Sequence, residues 1–438
     1  MEFIKQSLQT VGVTLHDYQE EGVGWCLNSE HVEGPIERCV YGGLLCDEMG
    51  LGKTLQMISV MIGNPLPNTL IVCPASLIEQ WASEFKKFAP NIRTIVYCKH
   101  NVLFKGTKEA PNAFIVSYAT FLRNKSVFNS KSWNWDRIIC DEIHYIRNHK
   151  SKCFKAILTI KPINRWGLTG TPIQNYKSDL IALFNFLGFA KDYIKGNFEV
   201  LVSKYLLRRT KGEVGINIPR LHKSELFVRQ TIEEEELYTT IERNNDLVLE
   251  NESIPLDFET LVKILRLRQC SISPKMIYKA LKTEDDMPIS VEWEANISRL
   301  EKVIEIAREN NKLVIFCEFT DEINYLFNEI KEFGAVTILN GKKKREEKKR
   351  ILENLESYDY LIVQIKCGST GLNLQYFNKA IITGPHYNPM LEEQAIARIH
   401  RIGQDSETKL FRLYNEFTID SRIREIQEKK RDLIRKYI

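Results

Sequence analysis

The stretch Asp47-Glu48-Met49-Gly50-Leu51-Gly52-Lys53-Thr54 decides the fold class of this 438-residue chain. It lies between a short apolar run at residues 43–46 and a stretch with helical spacing at 55–62. A glycine-rich turn between a buried strand and a helix lets backbone N–H groups converge on phosphate oxygens. The pattern therefore predicts a P-loop, in which Lys53 reaches the β- and γ-phosphates of ATP and the Thr54 hydroxyl binds Mg²⁺.

Two adjacent carboxylates end an apolar run further along the chain. Ile138-Ile139-Cys140 is followed directly by Asp141 and Glu142. After a P-loop, such a pair predicts that Asp141 holds Mg²⁺ while Glu142 orients and deprotonates the attacking water. On its own, Asp-Glu at a strand end is also typical of a solvated cap. His144 has no second histidine at ligand spacing, so we interpret it as a coupling or hydrogen-bonding residue.

Two arginines near the C-terminus form a third candidate element. Arg398 and Arg401 are three residues apart, which predicts that they share one face of a helix. Across a cleft from the P-loop they would neutralise charge that develops on the γ-phosphate. A basic surface helix shows the same spacing, and the residues alone leave both interpretations open.

The distribution of apolar runs predicts an α/β fold with parallel sheets. Runs of four to six apolar residues are typical of strands buried on both faces, and amphipathic stretches separate them. They lie in two groups, one before about residue 200 and one after about residue 300. The runs are 69–73, 113–116, 137–140, 313–317, 360–365 and 380–383.

Composition excludes several classes of protein. The 61 basic and 57 acidic residues give a formal net charge of +4, which is too mild to identify a partner. The ten cysteines form no Cys-x-x-Cys pair, which argues against zinc-ribbon, RING and thioredoxin-type sites and for buried thiols. No apolar stretch reaches membrane-spanning length, and the N-terminus lacks a secretory pattern, so we expect an intracellular protein.

Together these motifs resemble the helicase-superfamily-two ATPases and, within them, the Swi/Snf family of double-stranded DNA translocases. In that family Asp in place of the first P-loop Gly is usual, as at Asp47. Further strings carry the resemblance in chain order, and they extend over nearly the whole chain. They are Leu15-His16-Asp17-Tyr18-Gln19, Cys73-Pro74-Ala75-Ser76-Leu77, Ser117-Tyr118, Leu168-Thr169-Gly170-Thr171-Pro172-Ile173-Gln174-Asn175, Leu206-Leu207-Arg208-Arg209-Thr210-Lys211, Val314-Ile315-Phe316, Gly368-Ser369-Thr370-Gly371-Leu372-Asn373-Leu374 and His400-Arg401-Ile402-Gly403-Gln404.

The resemblance implies two tandem RecA-like parallel-sheet lobes that bind ATP and Mg²⁺. We assign lobe one to residues 1–211 and a linker with a helical protrusion to 212–290. We assign lobe two to residues 291–420 and a C-terminal brace helix to residues 421–438.

The resemblance also assigns roles to individual residues. ATP binding falls to Gln19, Asp47, Glu48, Met49, Gly50, Leu51, Gly52, Lys53, Thr54 and Gly371; Mg²⁺ to Thr54 and Asp141; and catalysis to Lys53, Glu142, Arg398 and Arg401. DNA binding falls to Ser76, Ser117, Lys366, Ser369, Thr370 and Tyr387, and coupling to His144, Thr169, Thr171 and Gln394.

Some features leave two interpretations open. Tyr387 stands where the family often has Trp beside the minor groove, and it suits a DNA wedge or a packed interface equally. The basic stretch 342–350 predicts either a DNA-facing helix or a solvated helix face. Ala397 replaces an Asp common in relatives. The string at 265–270 resembles a repair-type branch, although the RING insert of that branch is absent.

The leading hypothesis is a DNA-dependent ATPase that translocates on double-stranded DNA and remodels DNA–protein complexes, nucleosomes among them. We expect a monomeric motor in the nucleus, in a virus-infected host cell or in a virion. One alternative is a strand-separating DNA or RNA helicase, which the Gly403-Gln404 ending does not favour. Another is a catalytically silent scaffold, against which the intact motif residues argue.

Overall fold

The computed structural model describes residues 1–31, 40–97, 105–130, 133–173, 177–216, 218–244, 258–281, 297–368 and 372–437. The chain divides into two compact units, Met1–Ile216 with Asp432–Ile438, and Asn217–Arg431. Each unit is built around a parallel sheet, which confirms the expected class of two parallel-sheet α/β lobes. None of the described helices combines the length and apolar composition that crossing a bilayer requires.

The first unit contains a seven-stranded parallel sheet with helices on both faces. Its strands are β1 Tyr41–Leu45, β2 Asn68–Cys73, β3 Arg93–Val96, β4 Asn112–Ser117, β5 Arg137–Asp141, β6 Asn164–Leu168 and β7 Leu206–Leu207. Its helices are α1 Glu2–Gln9, α2 Asp17–Glu30, α3 Lys53–Gly63, α4 Ile78–Phe88, α5 Tyr118–Arg123, α6 Lys125–Phe128, α7 Lys152–Leu158, α8 Lys177–Leu187, α9 Lys191–Gly196 and α10 Phe198–Tyr205.

The strand order of the first sheet is β3-β4-β2-β5-β6-β1-β7. Every residue of β2, β4 and β5 is buried, because helices cover both faces of the sheet. Alternate residues supply two cores: Val72 and Ile138 pack on one side, and Ile71 and Ile139 on the other. The apolar runs therefore located these strands to within one residue at either end.

The second unit contains a six-stranded sheet of order β10-β11-β9-β12-β13-β8. Its strands are β8 Leu221–Val228, β9 Leu313–Cys317, β10 Val336–Leu339, β11 Tyr360–Gln364, β12 Lys379–Ile382 and β13 Thr408–Asn415. Its helices are α11 Ile232–Asn244, α12 Phe258–Ile272, α13 Pro274–Leu281, α14 Ser298–Glu309, α15 Thr320–Ile330, α16 Arg345–Glu353, α17 Ile365–Gly368 and α18 Pro389–Ile396, followed by α19 Ile419–Tyr437, which starts in this unit.

One part of the expected linker is part of this sheet. Strand β8 pairs in parallel with β13 along its whole length, from Leu221 opposite Thr408 to Val228 opposite Asn415. The sequence 221–228 mixes polar and apolar residues because β8 is an edge strand with one exposed face. It therefore lacks the apolar run by which the other strands were recognised.

The helices that follow β8 form a small core of their own. Thr231 and Glu234 make a capping box at the start of α11, each side chain accepting from the other's backbone N–H. Tyr238, Cys270 and Ile277 pack with Ile419 and Ile423 from the start of α19. Residues 282–288 of the predicted linker lie outside the described residues, and the brace role of α19 stays a prediction.

Candidate nucleotide site and nucleic-acid contacts

The order of the first sheet brings the predicted motifs to one edge. The carboxyl ends of parallel strands meet at the same edge, where α/β proteins bind ligands. Strand β6 lies between β1 and β5, so the loop with Thr169 separates the P-loop from Asp141. On the far side of β5, strands β2 and β4 lead into the loops that carry Ser76 and Ser117.

Two glycines give the P-loop its turn. Gly50 and Gly52 have φ values of 92° and 75°, in the left-handed region that favours glycine. The carbonyl of Leu51 accepts hydrogen bonds from Tyr18 Oη at 3.1 Å and from Gln19 Nε2 at 3.3 Å. Helix α2, which carries both side chains, therefore holds the outer turn of the loop.

The P-loop lysine is bonded to the loop itself. Lys53 Nζ donates to the carbonyl of Asp47 at 2.6 Å and to that of Glu48 at 3.3 Å. It lies at the first position of α3, where backbone N–H groups have no partner within the helix. Thr54 follows it in the first turn and is half-buried. Lysine, hydroxyl and free N–H groups are thus present together, as phosphate binding requires.

The carboxylate of Asp47 is fully buried and engaged by protein groups. Arg209 donates to it through Nε at 3.0 Å and Nη2 at 2.6 Å, and the backbone N–H of Arg209 adds a contact of 3.1 Å. Gln56 Nε2 donates at 3.0 Å. Any contact of Asp47 with ATP would therefore use its backbone. The sequence analysis placed Arg209 in a family string but gave it no role.

Asp141 is held from two directions at the end of β5. Its Oδ2 accepts from the indole Nε1 of Trp81 at 2.8 Å, and its Oδ1 accepts from the backbone N–H of Glu142 at 2.8 Å. Its main-chain carbonyl accepts from Tyr118 Oη, also at 2.8 Å. Burial, and next the charge of Glu142, raises the pKa of Asp141 to about 6. Sequence patterns do not single out Trp81, which occupies an ordinary apolar position of α4.

Glu142 belongs to a network of polar side chains that includes Thr169 and His144. Its backbone is left-handed, with φ 48°, which turns the side chain away from the strand. Its Oε2 accepts from Thr169 Oγ1 at 3.3 Å and lies 3.2 Å from His144 Nδ1. Thr169 Oγ1 also accepts from the backbone N–H of Thr171 at 3.1 Å. The structure thus brings together the acid and three residues predicted to couple it.

These residues provide oxygen donors of the kind that Mg²⁺ prefers. Thr54 supplies a hydroxyl and Asp141 a carboxylate. Among the described residues no group of three or more His, Cys, Asp and Glu side chains could hold a metal by itself. One hydroxyl and one carboxylate fit Mg²⁺ delivered with phosphates, because this ion usually takes few protein ligands and keeps several waters.

Ser76 and Ser117, the residues of the first unit predicted to bind DNA, differ in exposure and in hydrogen bonding. Ser76 is exposed in a short 3₁₀ turn, Ala75–Leu77, just after β2. Ser117 is buried, and its hydroxyl caps α5 by accepting from the N–H of Thr120 at 3.1 Å. A DNA role for Ser76 fits its position, whereas the hydroxyl of Ser117 already has a structural role.

Lys366 and Tyr387 lie at the carboxyl ends of β11 and β12 in the second unit. Lys366 is exposed. Tyr387 is half-buried, with Lys430 Nζ 4.1 Å from its ring centroid and 3.2 Å from its carbonyl. This packing agrees with the interface interpretation of Tyr387 and leaves the wedge a prediction. Ser369, Thr370 and Gly371 lie outside the described residues, as do Gln174 and Asn175.

The arginine pair does not lie on a helix, contrary to the prediction. Helix α18 ends at Ile396, and Arg398 and Arg401 follow in consecutive turns before β13. The buried amide of Gln404 stabilises these turns by donating to the carbonyls of Gln375 and Ile399, both at 3.1 Å. Arg401 buries its Nε atom, for which the described part of the chain provides no acceptor.

Two further candidates lie on helices of the second unit. Gln394 is buried in α18, and its coupling role stays a prediction. The basic stretch 342–350 leads into α16. Lys343, just before this helix, pairs with Glu347, and Lys349 lies 3.6 Å from Glu353. Such pairs are typical of a solvated helix face, although they leave the net charge basic.

Comparison with known proteins agrees with this geometry. A family model described as "SNF2-related domain" matches residues 18–276, and one described as "Helicase conserved C-terminal domain" matches 295–403. The chain belongs to the SNF2-related family. The helicase-like ATPases that the sequence analysis predicted are the enzyme class of this family, and the Swi/Snf resemblance is confirmed.

Three relatives illustrate the range of the SNF2-related family. An "Uncharacterized ATP-dependent helicase" of Mycoplasma pneumoniae is 31% identical over 97% of this chain and 42% of its own length. A "Probable global transactivator" of Orgyia pseudotsugata multicapsid polyhedrosis virus is 27% identical over 96% of this chain and 91% of its own. The human "SWI/SNF-related matrix-associated actin-dependent regulator of chromatin subfamily A member 1" is 29% identical over 96% and 43%. The chain thus spans less than half the length of two of them.

Proposed function

We propose that this protein is an ATP-driven motor that hydrolyses ATP on binding double-stranded DNA and moves along the duplex. One observation carries the proposal. Asp141, the predicted Mg²⁺ ligand, is hydrogen-bonded by Trp81 and Tyr118, which follow the two loops predicted to contact DNA. A single sheet edge therefore joins the residues for ATP to those for DNA.

The side chains of the first unit account for the chemistry. Lys53 neutralises β- and γ-phosphate oxygens, and Glu142 orients the attacking water and accepts its proton. Thr169 and His144 fix the Glu142 carboxylate at 3.3 and 3.2 Å. When bound with ATP, Mg²⁺ would be held by Thr54 and Asp141 and would offset phosphate charge.

The second unit contributes the remaining proposed roles. Arg398 and Arg401 stabilise charge that develops on the γ-phosphate, and Gln394 couples hydrolysis to DNA. Phosphate contacts come from Lys366 and from the Ser369 and Thr370 hydroxyls, with Tyr387 beside the minor groove. Because these contacts reach phosphates, we expect binding without sequence preference.

The relatives extend the proposal to a process. One is named a regulator of chromatin and another a transactivator of a virus. We therefore propose that movement along DNA remodels DNA–protein complexes, nucleosomes included, inside the nucleus or a virus-infected cell, and that one chain suffices as the motor.

The test compares ATP hydrolysis with duplex DNA, single-stranded DNA, RNA and nucleosomes as activators. Duplex DNA should stimulate most, and Lys53→Ala should abolish turnover in every case. Displacement of a DNA triplex strand would show translocation without strand separation. If single strands stimulate most and a forked duplex is unwound, the strand-separating helicase is the correct function instead.

A further inference from the structure

The chain segment that leaves the first unit runs alongside the P-loop. Strand β7 pairs in parallel with Leu44 and Leu45 of β1, and the pairing continues past the end of both strands. The N–H of Cys46 donates to the carbonyl of Leu207 at 2.7 Å, and the N–H of Glu48 donates to that of Arg209 at 2.9 Å. The first residues of the P-loop are therefore part of a ladder with residues 206–211.

Side chains strengthen the same ladder. Arg209 donates two hydrogen bonds to the Asp47 carboxylate, at 3.0 and 2.6 Å, and its side chain is 13% exposed. Two residues on, the N–H of Lys211 donates to Glu48 Oε2 at 2.8 Å. Both contacts hold P-loop residues whose carbonyls also accept from Lys53.

Arg209 also reaches the groups that fix the outer turn of the loop. Its Nη2 donates to Gln56 Oε1 at 3.0 Å, and its Nη1 donates to the carbonyl of Tyr18. Gln56 and Tyr18 each donate to the carbonyl of Leu51, at 3.2 and 3.1 Å. Gly22 leaves room for this arrangement, since a Cβ there would lie 2.1 Å from Gln56 Oε1 and 2.5 Å from Arg209 Nη2. The Arg209 guanidinium therefore contacts Asp47 at the start of the P-loop and the side chain and backbone groups that hold its outer turn.

We propose that Arg209 is a positioning residue of the P-loop and that residues 206–211 sense whether the loop holds a nucleotide. This inference rests on the proposed function, because it assumes that ATP binds there. To reach phosphates, Lys53 has to leave the carbonyls of Asp47 and Glu48. The same two residues are attached to Arg209 and Lys211, so the change passes directly to the segment that leads out of the unit at Ile216.

The departure from the strict P-loop pattern follows from this arrangement. Gly at position 47 would satisfy the general pattern but would leave the half-buried Arg209 without its carboxylate. If backbone geometry alone holds the P-loop, Asp47→Gly should bind nucleotide normally. If Arg209 positions the loop, Asp47→Gly should bind nucleotide more weakly, so the affinity of this variant distinguishes the two hypotheses.

The test measures the affinity of the full chain for a fluorescent ADP analogue with Mg²⁺. Asp47→Gly, Arg209→Gln and Arg209→Lys should each weaken binding about tenfold or more, because the loop loses its fixed geometry. The double variant Asp47→Gly, Arg209→Gln should lose no more than the worse single variant, since both remove one contact. Glu213→Gln is the matched control, because this exposed residue lies two positions beyond the segment and accepts hydrogen bonds from Thr210.

Deuterium uptake supplies a readout that a purely structural role would not move. In the wild-type chain, Mg²⁺–ADP should change uptake in a peptide covering 206–216, and Arg209→Lys, which keeps the charge and hence the fold, should remove that change. Wild-type affinity in the Asp47 and Arg209 variants, or unchanged uptake at 206–216, would overturn the inference. If the wild-type chain itself binds no Mg²⁺–ADP, it is the proposed function that fails.

Discussion

The indole nitrogen of Trp81 donates a 2.8 Å hydrogen bond to the carboxylate of Asp141. Trp81 lies on α4, which begins two residues after Ser76, and it is almost fully buried. From the start of α5, Tyr118 donates to the carbonyl of the same aspartate. The acid proposed to hold Mg²⁺ is therefore hydrogen-bonded to both elements proposed to contact DNA, and we expect DNA contact to affect the position of the metal.

Replacing Trp81 by Phe should weaken that link while preserving the packed ring. The buried carboxylate loses one donor, which should lower the free energy of unfolding by about 1–3 kcal/mol. DNA should also stimulate ATP hydrolysis less, and the apparent Mg²⁺ requirement should rise. Trp135→Phe is the control, because it loses a comparable 2.8 Å bond to the carbonyl of Phe128. Equal loss of DNA stimulation in both variants would leave Trp81 with a structural role alone.

Binding of Mg²⁺–ADP should depend on pH through Asp141. Burial and the Glu142 charge raise the pKa of Asp141 to about 6, and only the ionised form is a good ligand. Affinity should therefore rise as pH increases through about 6. Glu142→Gln removes the negative neighbour, so the pKa of Asp141 should fall and the midpoint should move to lower pH. Calorimetric titrations between pH 5 and 8 would measure the affinity for Mg²⁺–ADP. If the midpoint of its pH dependence is the same in Glu142→Gln as in the wild type, Asp141 is not the titrating group.

Removing the Thr169 hydroxyl should separate binding from hydrolysis. Thr169→Val keeps the shape of the side chain but deprives Glu142 and His144 of their shared partner. The carboxylate would then be misplaced by a fraction of an ångström, which we expect to lower kcat by about 10- to 100-fold. Single-turnover rates and the Kd for ATP measure the two effects. Thr159→Val, at the end of α7, is the control, and a fall in ATP affinity without a fall in kcat argues against the network.

Sequence patterns located most of the fold because each depends on neighbours in the chain. Strands buried on both faces show as apolar runs, and the P-loop shows as a fixed spacing of glycines and lysine. Strand β8 was missed because an edge strand keeps polar residues on its exposed face. The end of α18 was missed because the buried amide of Gln404 supports turns that helical spacing does not predict.

The polar contacts that hold the site could not be predicted from local patterns. Arg209 and Asp47 are far apart in the sequence, as are Trp81 and Asp141, and nothing near either residue indicates its partner. Each pair meets only because parallel strands bring distant loops to one edge of the sheet. The motifs thus indicate which residues face the ligand, whereas the residues that hold them in place emerge only from the structure.

A buried ion pair in the first unit should control its stability. Burial would raise the pKa of Glu30, but the charge and hydrogen bonds of Arg137 reverse this and hold it below its usual value. Trp166 Nε1 also donates to Glu30, at 2.7 Å. Glu30→Gln leaves a buried guanidinium unpaired, so the free energy of unfolding should fall by about 3–5 kcal/mol at pH 7.

The pH dependence of this loss has a definite sign. Because the folded-state pKa of Glu30 is lowered, the stability that it contributes is present above its unfolded pKa and is lost as pH falls through the folded pKa. The difference between wild type and Glu30→Gln in urea denaturation should therefore shrink in acid. Glu305→Gln, an exposed partner of Lys302, should change stability by less than about 1 kcal/mol. If the difference in free energy of unfolding between the wild type and Glu30→Gln grows in acid, Glu30 does not have a lowered pKa.

Salt should weaken binding to duplex DNA steeply, because phosphate contacts release counterions from DNA. If Lys366 contacts one phosphate, Lys366→Gln should weaken binding to all duplex sequences alike and reduce the slope of log K against log salt by about 1. Fluorescence anisotropy with two unrelated duplexes at several salt concentrations would measure both effects. Lys302→Gln is the control, because Lys302 lies on α14 and pairs with Glu305 at 2.7 Å. A slope that is flat in the wild-type chain would argue against a phosphate track, whereas an unchanged slope in Lys366→Gln would remove only this lysine from it.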